Sequence, residues 1–231
     1  LNNLQKAALP HALKENDEII NYAKKNGVDS EIQPWDTPYW SERMRENKFN
    51  LKEEELKPYF SLDNVLRELF AIANRLFGIY IQERIEKVEK WHTDVRYYDV
   101  YQGDNSNNEI IAGFYLDPYV RPETKRSGAW MGSCVDKNRA LGHNVPVAYL
   151  ICNGSPPSKD KPSLLSFSDV ETLFHEFGHG LQHMLTKIDI GDISGINGIE
   201  WDAVELPSQF MENWCYDETT LNRLALHYET G

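Results

Sequence analysis

The chain has 231 residues, 41% of them hydrophobic and 26% charged, which is enough to bury a substantial core in one large domain or two small ones. Its formal net charge of −12 argues against nucleic acid and against an anionic membrane surface as partners, because both require a basic face. No apolar run approaches the roughly 20 residues that a membrane span needs. Three widely spaced cysteines, with no C-x-x-C pair, favour reduced thiols in an intracellular compartment over a disulfide framework.

The first 26 residues carry an amphipathic stretch, "ALKENDEIINYAKKNG", with Gly27 as its stop. "IQPWDTPYW" is a proline-punctuated connection, and "SERMRENKFNLKEEELKPYF" reads as a polar helix up to Pro58. In "SLDNVLRELFAIANRLFGIYIQERI" (61–85), Val65, Leu66, Leu69, Phe70, Ile72, Ala73, Leu76 and Phe77 recur at helical spacing behind Ser61, a good N-cap. That predicts a buried helix. From 91 the period changes: "HTDVRYYDVYQ" and "NEIIAGFYLDPY" are β-branched and aromatic, and "GDNSNN" joins them as a hairpin turn. "SGAWMGSCVDK" and "NVPVAYLICN" offer two further strands, and "GSPPSKDKPSLLSFS" (154–168) is a loop. Ser168 and Glu171 form an S-x-x-E capping box that starts the next helix. The segment after Thr186 reads as a glycine-bearing loop, and two more helices follow. The expected architecture is α+β: mainly α, with a small antiparallel sheet. It divides into a helical segment and linker at 1–60 and a larger region at 61–231.

The stretch "ETLFHEFGHGLQHML" (171–185) separates completely on a helical wheel. Leu173, Phe174, Phe177, Leu181, Met184 and Leu185 occupy one arc, while His175, Glu176, His179 and His183 occupy the other. Gly178 and Gly180 flank the apolar arc, where a missing side chain lets another element approach. His175 and His179 form an H-E-x-x-H pair, so two imidazoles one turn apart can reach one ion, with Glu176 beside them to act on its water. His183 is about 12 Å along the axis from His175, too far to share that ion, and reads as a supporting or structural residue. For a third ligand, Asp192, Glu200, Asp202 and Glu205 all follow within reach, and Asp202 with Glu205 also forms a D-x-x-E cap. Glu171, one turn before His175, is a candidate to orient a ligand imidazole as well as a capping residue.

"FHEFGHGLQHML", followed by a glycine-bearing loop and "EWDAVELPSQFMENWC", closely resembles the M3 family of metallopeptidases. "AGFYLDPYVRPETKRSGAW" and "NGSPPSKDKPSLL" are similar to that family's strand and pre-helix loop. The resemblance implies zinc as cofactor, His175, His179 and Glu205 as its ligands, and Glu176 as the catalytic acid/base. It also implies a zincin-like active-site helix within a larger helical fold, and an intracellular endopeptidase that cleaves short peptides inside a deep channel. "SGAWMGSC" is a candidate strand edge for β-augmentation by a peptide, through Gly128 and Ala129, and "SGINGI" a candidate substrate-contacting loop, through Gly195 and Gly198.

The sequence starts at Leu1 without an initiator methionine and stops at Gly231 directly after a helical pattern. Both ends read as cuts, so the missing parts of the parent chain rank among the expected partners. The family's oxyanion-stabilising Tyr and His come from a loop well after the zinc ligands, and His227 does not match that motif. The expectation is therefore a chain that binds zinc with little turnover of its own. Two competing readings remain: an aminopeptidase of the H-E-x-x-H plus Glu class, and a zinc-stabilised helical module without catalysis.

Overall fold

The computed structural model describes residues 1–103 and 109–231, so most of the turn expected at 103–108 lies outside the described residues. The chain divides into two compact units, 1–55 and 56–231.

In the first unit, α1 (Asn2–Lys25) gives way to Gly27 at φ +92°, the left-handed stop that the glycine suggested. The ring of Tyr22 meets Trp40 edge-on at 6.4 Å, and its hydroxyl donates to the Arg43 carbonyl of α2 (Thr37–Phe49). The polar helix expected to run to Pro58 breaks at Asn50, whose φ of 49° ends α2. Asparagine reaches this region at little cost. A single turn, α3 (Glu53–Leu56), and a 3₁₀ turn at Lys57–Tyr59 follow. Phe60 belongs with the second unit: it is buried, and its carbonyl accepts from the Leu165 N–H at 2.8 Å.

The second unit begins its regular structure with α4 (Leu62–Phe77), which Gly78 ends at φ 64°. Beyond it the helical reading of 61–85 fails. Ile79 and Ile81 are buried and Tyr80 and Gln82 exposed, the period-2 pattern of a strand, β1 (Ile79–Glu83). β2 (Arg96–Gln102) and β3 (Ile110–Tyr119) pair antiparallel, as the sequence suggested. β4 (Trp130–Val135) and β5 (Val147–Gly154) complete one sheet in the order β1-β2-β3-β5-β4. The sheet is mixed rather than wholly antiparallel. β5 returns antiparallel to β4 but inserts between it and β3, so β3 and β5 run parallel. This insertion leaves β4 at the margin, with one edge free of any strand among the described residues.

The helix that carries the H-E-x-x-H pair is α5 (Phe167–Met184), and its apolar face lies on this sheet. Phe114, Phe174 and Phe177 are fully enclosed, each worth about 1.5–3 kcal/mol of burial. Phe177 packs against Phe114 at 5.8 Å and Phe70 of α4 at 6.1 Å, while Gly180 brings the helix onto Leu150 of β5. The capping box is two residues earlier than expected. Ser166 Oγ accepts from the Asp169 N–H at 3.1 Å, and the Asp169 carboxylate accepts from the Ser166 N–H at 2.9 Å. Phe167 then sits inside the helix against Phe60, and Glu171 is released from capping. After α5 come a 3₁₀ turn at Gly191–Ile193, α6 (Leu206–Glu212), a second 3₁₀ turn at Asn213–Tyr216 and α7 (Glu218–Leu224). Among the described residues no helix is long and apolar enough to cross a membrane.

On the sheet face turned away from α5, Asp117 of β3 is almost fully enclosed. It accepts from Trp91 Nε1 at 2.9 Å, from Arg121 at 2.6 and 2.7 Å, and from Lys125 Nζ at 3.0 Å. Burial raises its pKa, but these donors outweigh burial and leave it below the usual carboxylate range. A depressed carboxyl contributes stability that is present above its unfolded pKa of about 3.9 and is lost as pH falls through the folded value. Stability measured by urea titration should therefore drop as pH falls below about 4. Asp117→Ala should cost about 3–5 kcal/mol at neutral pH, because it strands the buried Lys125 ammonium, and should flatten the acid limb.

Candidate metal centre

α5 and α6 cross at a point where α5 cannot carry a side chain. A Cβ on Gly178 would stand 2.5 Å from the Pro207 carbonyl oxygen and 2.6 Å from the Ser208 Cα, so only glycine admits the start of α6 at this distance. Glu205 immediately precedes α6 and makes no side-chain cap bond, so the capping role left open by the sequence is not how its carboxylate is used. That carboxylate instead turns to α5. Glu205 Oε2 lies 3.2 Å from His175 Nε2 and 3.2 Å from His179 Nε2, and the three donor atoms all lie within 4.8 Å of one another. Ser208 Oγ donates to the same oxygen at 2.8 Å. That hydrogen bond, with the nearby histidines, draws the Glu205 pKa below its ordinary value against the opposing effect of burial.

A second carboxylate from α6 sets the state of the first histidine. Glu212 Oε1 is 2.5 Å from His175 Nδ1. An ionised carboxylate only accepts, so Nδ1 carries the proton, and in the neutral ring Nε2 presents its lone pair to Glu205. Burial lowers the pKa of His179, which favours its neutral form. The His175 Nε2 lone pair, His179 Nε2 and a Glu205 oxygen thus converge, a set that a cation can bridge with the His179 proton on Nδ1, which has no hydrogen-bond partner among the described residues. Two donors each about 2.0–2.1 Å from a tetrahedral ion stand about 3.3 Å apart, close to the separations seen here. Two imidazoles and one carboxylate form a donor set that suits zinc.

Glu176 points to the same region from α5. It is 5% exposed, its Oε2 has no hydrogen-bond partner among the described residues, and the Met131 backbone of β4 hydrogen-bonds the carboxyl group. Burial pushes its pKa up to about 7, with the negative Glu205 adding to the rise and His175 and the Met131 bond opposing it. A cavity of about 420 Å³ opens beside His175 and Glu176, lined further by Ala129, Ser168, Glu171, Thr172 and Glu212.

The other residues singled out in the sequence are placed as follows. Glu171 accepts a hydrogen bond from the Tyr216 hydroxyl, so the carboxylate at His175 is Glu212 and not Glu171. His183 is fully buried, and its Nε2–H donates to the Val135 carbonyl of β4 at 3.0 Å, which makes it a tie between helix and sheet. Gly195, at φ 64°, lies so close to the His183 ring that a Cβ would meet it, and Gly198, at φ 73°, lies against Asp192 and Ile193. Neither lines the cavity beside His175, whereas Ala129 does, with Gly128 at φ 93° just before it. Glu212 escaped the sequence reading. Its signal was present: it lies seven residues after Glu205, two turns along one face of a helix.

The model of peptidase family M3 matches residues 1–231. The chain is 50% identical over its whole length to an organellar oligopeptidase A, chloroplastic/mitochondrial, of Arabidopsis thaliana, of which it covers 30%. It is 47% identical over its whole length to oligopeptidase A of Escherichia coli (strain K12), of which it covers 34%. To the dipeptidyl carboxypeptidase of the same bacterium it is 41% identical over 86% of the chain and 28% of that protein. The chain thus spans about a third of the length of the curated relatives it matches, and it belongs to peptidase family M3.

Proposed function

We propose that this chain carries the zinc centre of a peptidase acting on short peptides. The observation that supports this most is the single Glu205 oxygen set 3.2 Å from both imidazole Nε2 atoms, with the buried Glu176 carboxyl next to them. His175, His179 and Glu205 would hold the ion. Zinc bound by three protein ligands lowers the pKa of a water to about 7 and polarises a carbonyl.

The chain's own residues supply the proton transfers and the positioning. Glu176 Oε2, unpartnered and shielded, accepts the proton of the attacking water and then returns it to the leaving amine. Its raised pKa suits a group that must both take up and release a proton near neutrality. Glu212 holds the His175 ring in one tautomer. The free edge of β4 can take an extended peptide by backbone pairing, with Gly128 and Ala129 at the end that opens on the cavity. Gly195 and Gly198 shape the loop under His183. An endopeptidase is the preferred reading because the identity is higher to the two oligopeptidases A than to the dipeptidyl carboxypeptidase. An intracellular setting is proposed because one relative is named as chloroplastic/mitochondrial and another, also from Arabidopsis thaliana, as a probable cytosolic oligopeptidase A.

The test is Glu176→Gln. The variant should keep its metal and its fold while turnover of a quenched-fluorescence octapeptide falls at least about a hundredfold. Mass spectrometry of the products separates internal cleavage from removal of one N-terminal residue. Turnover that survives in Glu176→Gln would contradict the assignment of the proton carrier. A zinc-loaded wild-type chain with no turnover, beside an active full-length relative, would favour the non-catalytic module for this chain alone.

A further inference from the structure

The cavity beside His175 has a chemical character that peptide cleavage does not require. Glu171, Glu176 and Glu212 all line it, and among the described residues no lysine or arginine does. The two outer acids are held in place: the Tyr216 hydroxyl donates to Glu171, and the His175 ring to Glu212. Glu176 is more than nine-tenths buried and leaves Oε2 without a partner among the described residues. Carboxylates fixed around a recess concentrate negative potential there, and the hydroxyls of Ser168 and Thr172 add hydrogen-bond acceptors. Ala129 lines the same recess, just before the strand whose edge is free, so a peptide laid along that edge can send one group into it.

We infer that this cavity is a subsite for a cationic group of the peptide, an ammonium or guanidinium, and that Glu171 is its specificity-determining residue. The inference rests on the peptidase reading. The cation can come from a Lys or Arg side chain or from a free N-terminal amine. About 420 Å³ is room for either. Glu171 is the discriminating acid because Glu212 is engaged with a metal-binding histidine and Glu176 moves the proton. A neutral side chain entering the recess would leave its carboxylates facing apolar atoms, which disfavours it.

The experiment uses the zinc-loaded chain and alanine-based pentapeptides with Lys or norleucine at each position in turn, N-acetylated, plus an unacetylated set without Lys. Affinity is read by calorimetry, or kcat/KM where a peptide is cleaved. At one position Lys should be preferred over norleucine by about tenfold, and the preference should shrink as salt is raised. In Glu171→Gln, with zinc content and circular dichroism showing an intact fold, the Lys-to-norleucine ratio should fall to about one. A preference seen only for the free N-terminus would assign the subsite to the terminal amine. Equal behaviour of Lys and norleucine everywhere, with no effect of acetylation, would overturn the subsite and leave the peptidase reading standing. A ratio that Glu171→Gln does not change would overturn the role of Glu171. A zinc-loaded chain that neither binds nor cleaves any of these peptides would contradict the peptidase reading and the subsite with it.

Discussion

Gly178→Ala should weaken zinc binding by about ten- to a hundredfold, although residue 178 offers no ligand. The added Cβ would meet backbone atoms of Pro207 and Ser208 at 2.5–2.6 Å, and backbone on both sides cannot rotate away as a side chain can. α6 must shift, and Glu205 stands two residues before Pro207, so the carboxylate leaves its position between the two imidazoles. Overpacking of this kind costs about 1–3 kcal/mol, a fall in Tm of about 2–10 °C in a chain of this size. Gly180→Ala is the matched control. There the nearest atom is Leu150 Cδ2 at 3.0 Å, the end of a flexible side chain that can give way. That variant should lose less stability and keep its zinc affinity. Competition with a chelating indicator dye, beside thermal melts, reads both effects. Gly178→Ala with wild-type zinc affinity would show that the close helix crossing is not what places Glu205.

Glu212→Gln should lower zinc affinity by about tenfold, and Glu212→Ala by up to about a hundredfold. Glutamine can still accept from His175 Nδ1–H but carries no charge, so the ring loses its negative partner and becomes a weaker donor. Alanine removes the acceptor and frees the ring to rotate. Graded loss in the order Glu, Gln, Ala identifies the contact as the cause, because a general packing defect would not follow the hydrogen-bonding capacity of the side chain. The fold should survive, since Glu212 is partly exposed at the end of a short helix. Equal affinity in all three proteins would mean that the His175–Glu212 contact does not serve the metal.

The helix, its apolar face and the H-E-x-x-H pair were legible in the sequence because they are local: 3.6-residue periodicity displays them within fifteen residues. Glu205 needed more. Spacing left four acids open, and only the resemblance to a known family separated them. Glu212 was missed because its partner is 37 residues away, and the register between them depends on how closely Gly178 admits α6. β1 was included in the helix read over 61–85 although the apolar residues at helical spacing end at Phe77 and Ile79 and Ile81 follow a period of two; Gly78, at φ 64°, was the signal that the period changes there. The capping box moved by two residues because S-x-x-D at 166 competes with S-x-x-E at 168, and packing of Phe167 on Phe60 distinguishes them only in three dimensions. The parallel pairing of β3 with β5 lies beyond local pattern altogether, since it depends on which strand is inserted between which.

The central claim is that His175, His179 and Glu205 bind one zinc ion, and zinc K-edge absorption spectroscopy of the purified chain, with its metal content, tests it most directly. The account predicts about one zinc per chain, a shell of nitrogen and oxygen at about 2.0–2.1 Å with imidazole scattering and no sulfur, and loss of the metal in His175→Ala. A chain that takes up no zinc, or a sulfur shell near 2.3 Å from its cysteines, would contradict it.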